Sequence, residues 1–305
     1  MAILVTGRDG QVAQAVRRQL GADTLIFTAR PEFDLADAAS IEQAIDRVRP
    51  ELIISAAAYT AVDRAESEPA LAARINAYAP GVIGAAARRI GAPVIHLSTD
   101  YVFPGTGDTP WSEDDIPAPV NTYGQTKLAG EQALRASGAT HAILRTAWVY
   151  GPDGANFVKT MLRLAGERER VAVVADQFGN PTAAAQIAAG IAAVIAAWRG
   201  GVDPRQTGLF HFAGAGTTSW AGFAREIFRR SAALGGPDCA VDDITTAEFP
   251  TPAARPANSR LDTARFAAAF GFAFEPWPVS LQGSLAEMIG QSPLSDSDAH
   301  DRGAE

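Results

Sequence analysis

The chain has 305 residues, 47% of them hydrophobic and 20% charged, with a formal net charge of −8. That composition is globular and long enough to bury a large core without staples, and its acidity disfavours nucleic acid and anionic membrane surfaces as partners. Cys239 is the single cysteine, so no internal disulfide can form, which fits a reducing, cytoplasmic setting.

Residues 3–5 form a short apolar run with no basic segment before it, which predicts a strand rather than a signal peptide. Residues 11–20 follow with helical spacing, Val12, Val16 and Leu20 falling on one face. Residues 25–27 predict the second strand, and residues 40–49 a helix with Ser40 as its N-cap. Residues 52–54, 94–97 and 142–144 predict three more strands, separated by helices near 70–89 and 123–136. Strands apolar on both faces and separated by helices predict a parallel sheet covered on both sides, with right-handed crossovers. The expected fold class is therefore α/β, a Rossmann-like doubly wound parallel sheet with a smaller, partly interleaved C-terminal substrate domain.

After Tyr150 the rhythm loosens. Residues 171–175 and 209–213 predict strands, 183–198 and 218–231 helices, and 250–256 an extended Pro-rich loop. The expected division is a nucleotide domain over 1–147, its sheet completed by parts of 171–213, a mainly substrate-binding domain over 148–290, and a disordered tail over 291–305. The apolar stretch 183–198 is too short to span a bilayer.

The first strand runs into Thr6-Gly7-Arg8-Asp9-Gly10-Gln11-Val12-Ala13, a G-x-x-G-x-x-A loop that opens a helix. Gly7 and Gly10 allow a tight turn and close approach of a dinucleotide, whose pyrophosphate then rests on the N-terminal N–H groups of Gln11 and Val12. No acid follows the second strand to hold a ribose 2′-hydroxyl. Arg30 stands there instead and can meet a 2′-phosphate, so NADPH is favoured over NADH as cofactor. Asp34 and Leu35, and the small Ala56, Ala57 and Ala58 after the third strand, let the dinucleotide lie across the strand ends.

Tyr123-Gly124-Gln125-Thr126-Lys127 places a phenol and an ammonium on one helix face. A phenol surrenders its proton poorly at neutral pH. A neighbouring ammonium is expected to lower its pKa and tune it as a general acid–base beside a nicotinamide. Thr99 ends the fourth strand, where open α/β sheets bind ligands, and can polarise a reacting carbonyl. A surface Tyr–Lys pair and a strand-end turn are the unremarkable readings of these residues. Their placement in one nucleotide-type fold favours catalysis.

The combined pattern resembles the dTDP-4-dehydrorhamnose reductase family. The resemblance is carried by the glycine loop, by Ala58-Tyr59-Thr60-Ala61-Val62-Asp63-Arg64-Ala65-Glu66 and by Ser98-Thr99-Asp100-Tyr101-Val102-Phe103. It continues through the Tyr123–Lys127 motif, Leu144-Arg145-Thr146-Ala147-Trp148-Val149-Tyr150-Gly151, Asn156-Phe157, 176–182 and 255–261. It implies an NAD(P)H-dependent reduction of the 4-keto group of dTDP-4-dehydro-L-rhamnose. Tyr123 would protonate the oxygen, Lys127 would also hold the nicotinamide ribose, and Thr99 would orient the carbonyl. It further implies a dTDP-sugar pocket lined by Thr60, Val62, Thr99, Asp100, Tyr101, Trp148 and Asn156, with Arg260 at the diphosphate. Trp148 also reads as a core aromatic.

Sugar-nucleotide dehydratases are similar, but they carry an Asp-Glu pair after the strand-end Thr. Here Tyr101 follows Asp100, and elimination lacks its second carboxylate. Relatives that dimerise through a metal on the first helix use acids there, whereas this chain has Gln14, Ala15, Arg17 and Arg18. The four histidines (His96, His141, His211, His300) lack ligand spacing. No metal is expected, and monomer and homodimer both stay open. The competing readings are a reductase or epimerase for another nucleotide-6-deoxysugar and a non-catalytic NADP-binding regulatory subunit. The latter would be free to lose Thr99, Tyr123 or Lys127.

Overall fold

Strand β1 (Ile3–Thr6) sends Ile3 and Val5 to one face of a sheet and Leu4 to the other, as the two-residue period of a strand requires. The same division recurs in β3 (Leu52–Ser55), β4 (Val94–Thr99) and β5 (His141–Thr146), while the edge strand β2 (Leu25–Thr28) turns Leu25 and Phe27 to the first face and leaves Ile26 exposed. With the strand Gly208–His211 they form a six-stranded sheet in the order Gly208–His211, β5, β4, β3, β1, β2. Every pairing in it is parallel. The computed structural model describes residues 2–21 and 25–290. The tail expected at 291–305 lies outside the described residues.

Both faces are covered. Helix α1 (Gln11–Leu20) and the helix Ala184–Trp198 bury Val16, Ile187, Ile191 and Ile195 against Val5, Ile54 and Leu144. Helix α2 (Ala38–Val48) and the helices Ala79–Ile90 and Thr122–Ala136 bury Ile41, Ile45, Ile83 and Leu134 against Leu4, Ile53 and Ile143. This is the doubly wound sheet that the alternation of elements predicts. The chain leaves β1 for β2 on one side and returns to β3 on the other, which opens a crevice at the C-terminal ends of β1 and β3.

One local expectation is corrected. The N-cap of α2 is Asp37, whose carboxylate accepts from Ala39 N at 3.0 Å. The Ser40 hydroxyl lies inside the helix and accepts from Asp34 N at 2.8 Å instead. The helical stretch expected near 70–89 runs without a gap from Pro69 to Ile90, widened by a π-helical turn at Arg74–Tyr78. Within the 171–213 stretch Gly208–His211 enters the main sheet, while the strand Arg170–Val174 pairs in parallel with Ala240–Ile244, away from it. A separate core of Tyr150, Val158, Met161, Val173, Phe223, Ile227 and Leu281 gathers this later part of the chain.

Candidate active site

Gly7 sits at φ +83, and a Cβ there would stand 3.1 Å from Ala57 Cβ, so only glycine fits without strain. Its N–H donates to the Thr28 carbonyl oxygen at 2.9 Å. Thr6 accepts through its hydroxyl from Ala56 N and Ala57 N, each at 3.0 Å, and so ties the ends of β1 and β3 together. Gly10 begins α1 without a side-chain cap, no acid lies in the first helical turn, and a Cβ on Gly10 would meet no protein atom. An uncapped helix start with open space before it is suited to an anion.

Two adjoining cavities, of about 570 and 520 Å³, run along the strand ends. One is lined by Thr28, Arg30, Asp34, Leu35 and Ala36, the other by Gly10, Gln11, Val12, Tyr123 and Lys127; Gly7, Ala57, Ala58 and Thr60 belong to both. The residues expected to bind cofactor thus share one continuous cleft whose chemistry fits a dinucleotide. The π-helical turn delivers Asn76, which grips the wall of this cleft. Its Oδ1 accepts from Tyr59 N at 2.8 Å and its Nδ2 donates to the Tyr59 carbonyl oxygen at 3.0 Å.

The helix Thr122–Ala136 starts at Asn121, whose side chain accepts from Gly124 N at 2.8 Å, so Tyr123 stands in its first turn. Lys127, one turn on, is 2% exposed, and its Nζ donates to the Leu97 carbonyl oxygen at 2.7 Å. The expected lowering of the Tyr123 pKa by Lys127 is not what the structure has. Burial pushes the Tyr123 phenol up to about 12, the Thr99 hydroxyl acts against that shift, and the Asp100 charge adds to it. The ammonium is turned onto a strand carbonyl, and burial brings Lys127 itself down to about 8, with Glu131 opposing. Tyr123 is therefore a protonated phenol at neutral pH, the form an acid in a carbonyl reduction needs.

On the sugar side, Thr99 and Asp100 are buried at the end of β4, joined by a hydrogen bond of 2.9 Å from Thr99 Oγ1 to Asp100 Oδ1. The Tyr101 ring meets that of Tyr123 edge-on at 5.6 Å. Val62 opens the short helix Val62–Ser67. Trp148 holds φ 46 and stacks on Trp220 with centroids 3.5 Å apart, as part of an aromatic cluster. Asn156 caps the helix Phe157–Glu167 through Lys159 N and donates to Gln11 Oε1 at 3.1 Å, which places it beside the glycine loop. The Arg260 guanidinium lies 4.5 Å over the Phe178 ring and donates to the Asp108 carbonyl oxygen.

Sequence reasoning missed Thr6, Arg8, Asn76 and the 250–257 segment. Arg8 lines the cleft next to Gly10, and a cation inside a phosphate-type loop was a usable signal. The Pro-rich segment reaches the site through Arg255 Nη2, which donates to Asp63 Oδ2 at 2.8 Å, and through Asn121 Nδ2, which donates to the Ala254 carbonyl oxygen at 2.8 Å. Contacts between residues so far apart along the chain leave no local signal.

Residues 1–289 match the family model described as the RmlD substrate binding domain. The dTDP-4-dehydrorhamnose reductase of Sinorhizobium fredii is 43% identical over 92% of this chain and 95% of that one. The Escherichia coli protein of the same name is 43% identical over 95% of this chain and 98% of its own. Among solved structures, the dTDP-4-dehydrorhamnose reductase of Bacillus anthracis, in complex with NADP, superposes with a TM-score of 0.86 at 34% identity, covering 94% of this chain and 100% of the other.

Proposed function

Since the chain belongs to the dTDP-4-dehydrorhamnose reductase family, we propose that it reduces the 4-keto group of dTDP-4-dehydro-L-rhamnose to give dTDP-L-rhamnose, with NADPH (or NADH) as cofactor. The observation that carries this reading is the convergence of Tyr123, Lys127 and the β4 end on the cleft that holds the glycine loop. The bound dinucleotide supplies the hydride. The protein's own work is orientation and proton supply. Gly7, Gly10 and the N–H groups of Gln11 and Val12 receive the pyrophosphate, and Arg30 stands where a 2′-phosphate would lie.

Tyr123 gives its proton to the carbonyl oxygen as negative charge develops there. Lys127, charged below about pH 8 and anchored on the Leu97 carbonyl oxygen, would hold the nicotinamide ribose. Thr99 orients the oxygen. Thr60, Val62, Asp100, Tyr101, Trp148 and Asn156 would line the sugar pocket, and Arg260 would meet the diphosphate. No helix among the described residues is long and apolar enough to cross a membrane, and a single cysteine fits a reducing, cytoplasmic compartment; monomer and homodimer both stay open.

The test is turnover of enzymatically generated 4-keto substrate with NADPH and with NADH, beside the reverse reaction on dTDP-L-rhamnose. NADPH oxidation that disappears in Tyr123→Phe supports the reading. Cofactor binding without turnover in either direction would overturn it in favour of a regulatory NADP-binding subunit or a different sugar.

A further inference from the structure

The Thr99 hydroxyl has one proton to give and two lone pairs to accept with. One lone pair takes the Tyr101 N–H at 3.2 Å, and the oxygen also lies 2.9 Å from Asp100 Oδ1. A carboxylate only accepts. With Asp100 ionised, the Thr99 proton is drawn onto Asp100 and away from its other acceptor, the neighbouring Tyr123 oxygen, so the hydroxyl turns only a lone pair towards the cleft. In that state the Thr99 proton is not aimed at a substrate carbonyl. Asp100 is 2% exposed; its Oδ2 makes no well-formed hydrogen bond, and the Ser259 hydroxyl nearby only partly offsets the cost of burying its charge. A buried carboxylate with one oxygen poorly served is the costly form of the side chain, and the neutral acid is the cheaper one.

We propose that Asp100 is a positioning residue that sets the direction of the Thr99 hydroxyl. As the carboxylic acid it donates to Thr99 Oγ1 and frees the Thr99 O–H for the carbonyl oxygen; as the carboxylate it captures the Thr99 proton and switches that donor off. The change is one proton exchanged with solvent, with no covalent step on Thr99. The groups facing Asp100 are the phenols of Tyr101, on its own turn, and Tyr123, from the Thr122–Ala136 helix, together with the Ser259 hydroxyl from the C-terminal segment. Burial is the largest influence and raises the carboxyl to about 6, which puts the switch just below neutral pH. The inference rests on the reductase reading only for the identity of the carbonyl.

The test follows kcat for 4-keto substrate and NADPH from about pH 5 to about pH 8, alongside infrared difference spectra of native protein minus Asp100→Asn, taken without substrate. In the native enzyme kcat falls roughly a hundredfold by about pH 8 as Asp100 ionises, the lower end of what one lost oxyanion donor costs. Asp100→Asn, whose amide donates to Thr99 Oγ1 at every pH while its carbonyl accepts from Ser259, has no such limb. The spectra show a carboxylic-acid carbonyl band that titrates over the same range. A native-like limb in Asp100→Asn, or no acid band at the low end of the range, would overturn the inference. If Asp100→Asn does not fold, Thr99→Ser must keep the limb and Thr99→Val must lose it, with native protein minus Thr99→Val as the infrared pair. If native protein turns nothing over, the reductase reading fails, and the infrared titration still decides the state of Asp100.

Discussion

In the proposed reaction the acid–base work rests on a phenol and an ammonium that burial moves in opposite senses. Tyr123, pushed up to about 12, stays protonated across the physiological range. Removing its proton in Tyr123→Phe is expected to lower kcat by about 10²–10⁴-fold while leaving cofactor affinity within a small factor, as read by NADPH oxidation and by fluorescence titration. Lys127 is brought down to about 8, so its charge is present below that pH and is lost as pH rises through it. The kcat/KM for NADPH, which reports the free enzyme, is expected to decline above about pH 8, and Lys127→Met to abolish that limb. The placement of Thr99 at a strand end and of Tyr123 and Lys127 on one helix was legible in the sequence, because a strand end and an i,i+4 spacing are local features. The electrostatic partner of the phenol was not, because it depends on where the Lys127 Nζ points, and a strand carbonyl three-dimensionally adjacent claims it.

At the level of elements, the β1–α1 junction was readable from two glycines after an apolar run. Its demand on Gly7 came from β3, through Ala57. Gly7→Val forces a branched side chain into a positive φ and onto Ala57. It is expected to destabilise the protein by about 1–3 kcal/mol and to weaken NADPH binding at least tenfold, measured by thermal unfolding and by calorimetry. The start of α2 was misplaced by three residues because Asp37 and Ser40 are both good caps and only backbone geometry chooses between them. Asp37→Ala is expected to cost about 1 kcal/mol in urea unfolding with kcat unchanged, since Asp37 caps a helix outside the cleft. The π-helical turn Arg74–Tyr78 has no periodicity signature, yet it carries Asn76 to the Tyr59 backbone.

At the scale of the whole molecule, a buried ion pair joins the helix Thr122–Ala136 to the sheet. Arg145 on β5 donates through Nε and Nη2 to Glu131 at 2.9 and 2.7 Å, and Ser98 on β4 donates to the same carboxylate at 2.5 Å. Glu131→Ala strands the Arg145 charge in the interior and is expected to cost about 3–5 kcal/mol, seen as a lower urea midpoint. Composition, the alternation of strands and helices and the glycine loop determined by themselves that this is a doubly wound nucleotide-binding protein, because strand and helix periods and tight turns are set by neighbours along the chain. Tertiary structure alone decided the rest: which later strand closes the sheet, that the 250–257 segment docks on Asp63 and Asn121, and which groups tune Tyr123, Lys127 and Asp100. Those outcomes depend on burial and on contacts between distant residues, and neither is written in local spacing.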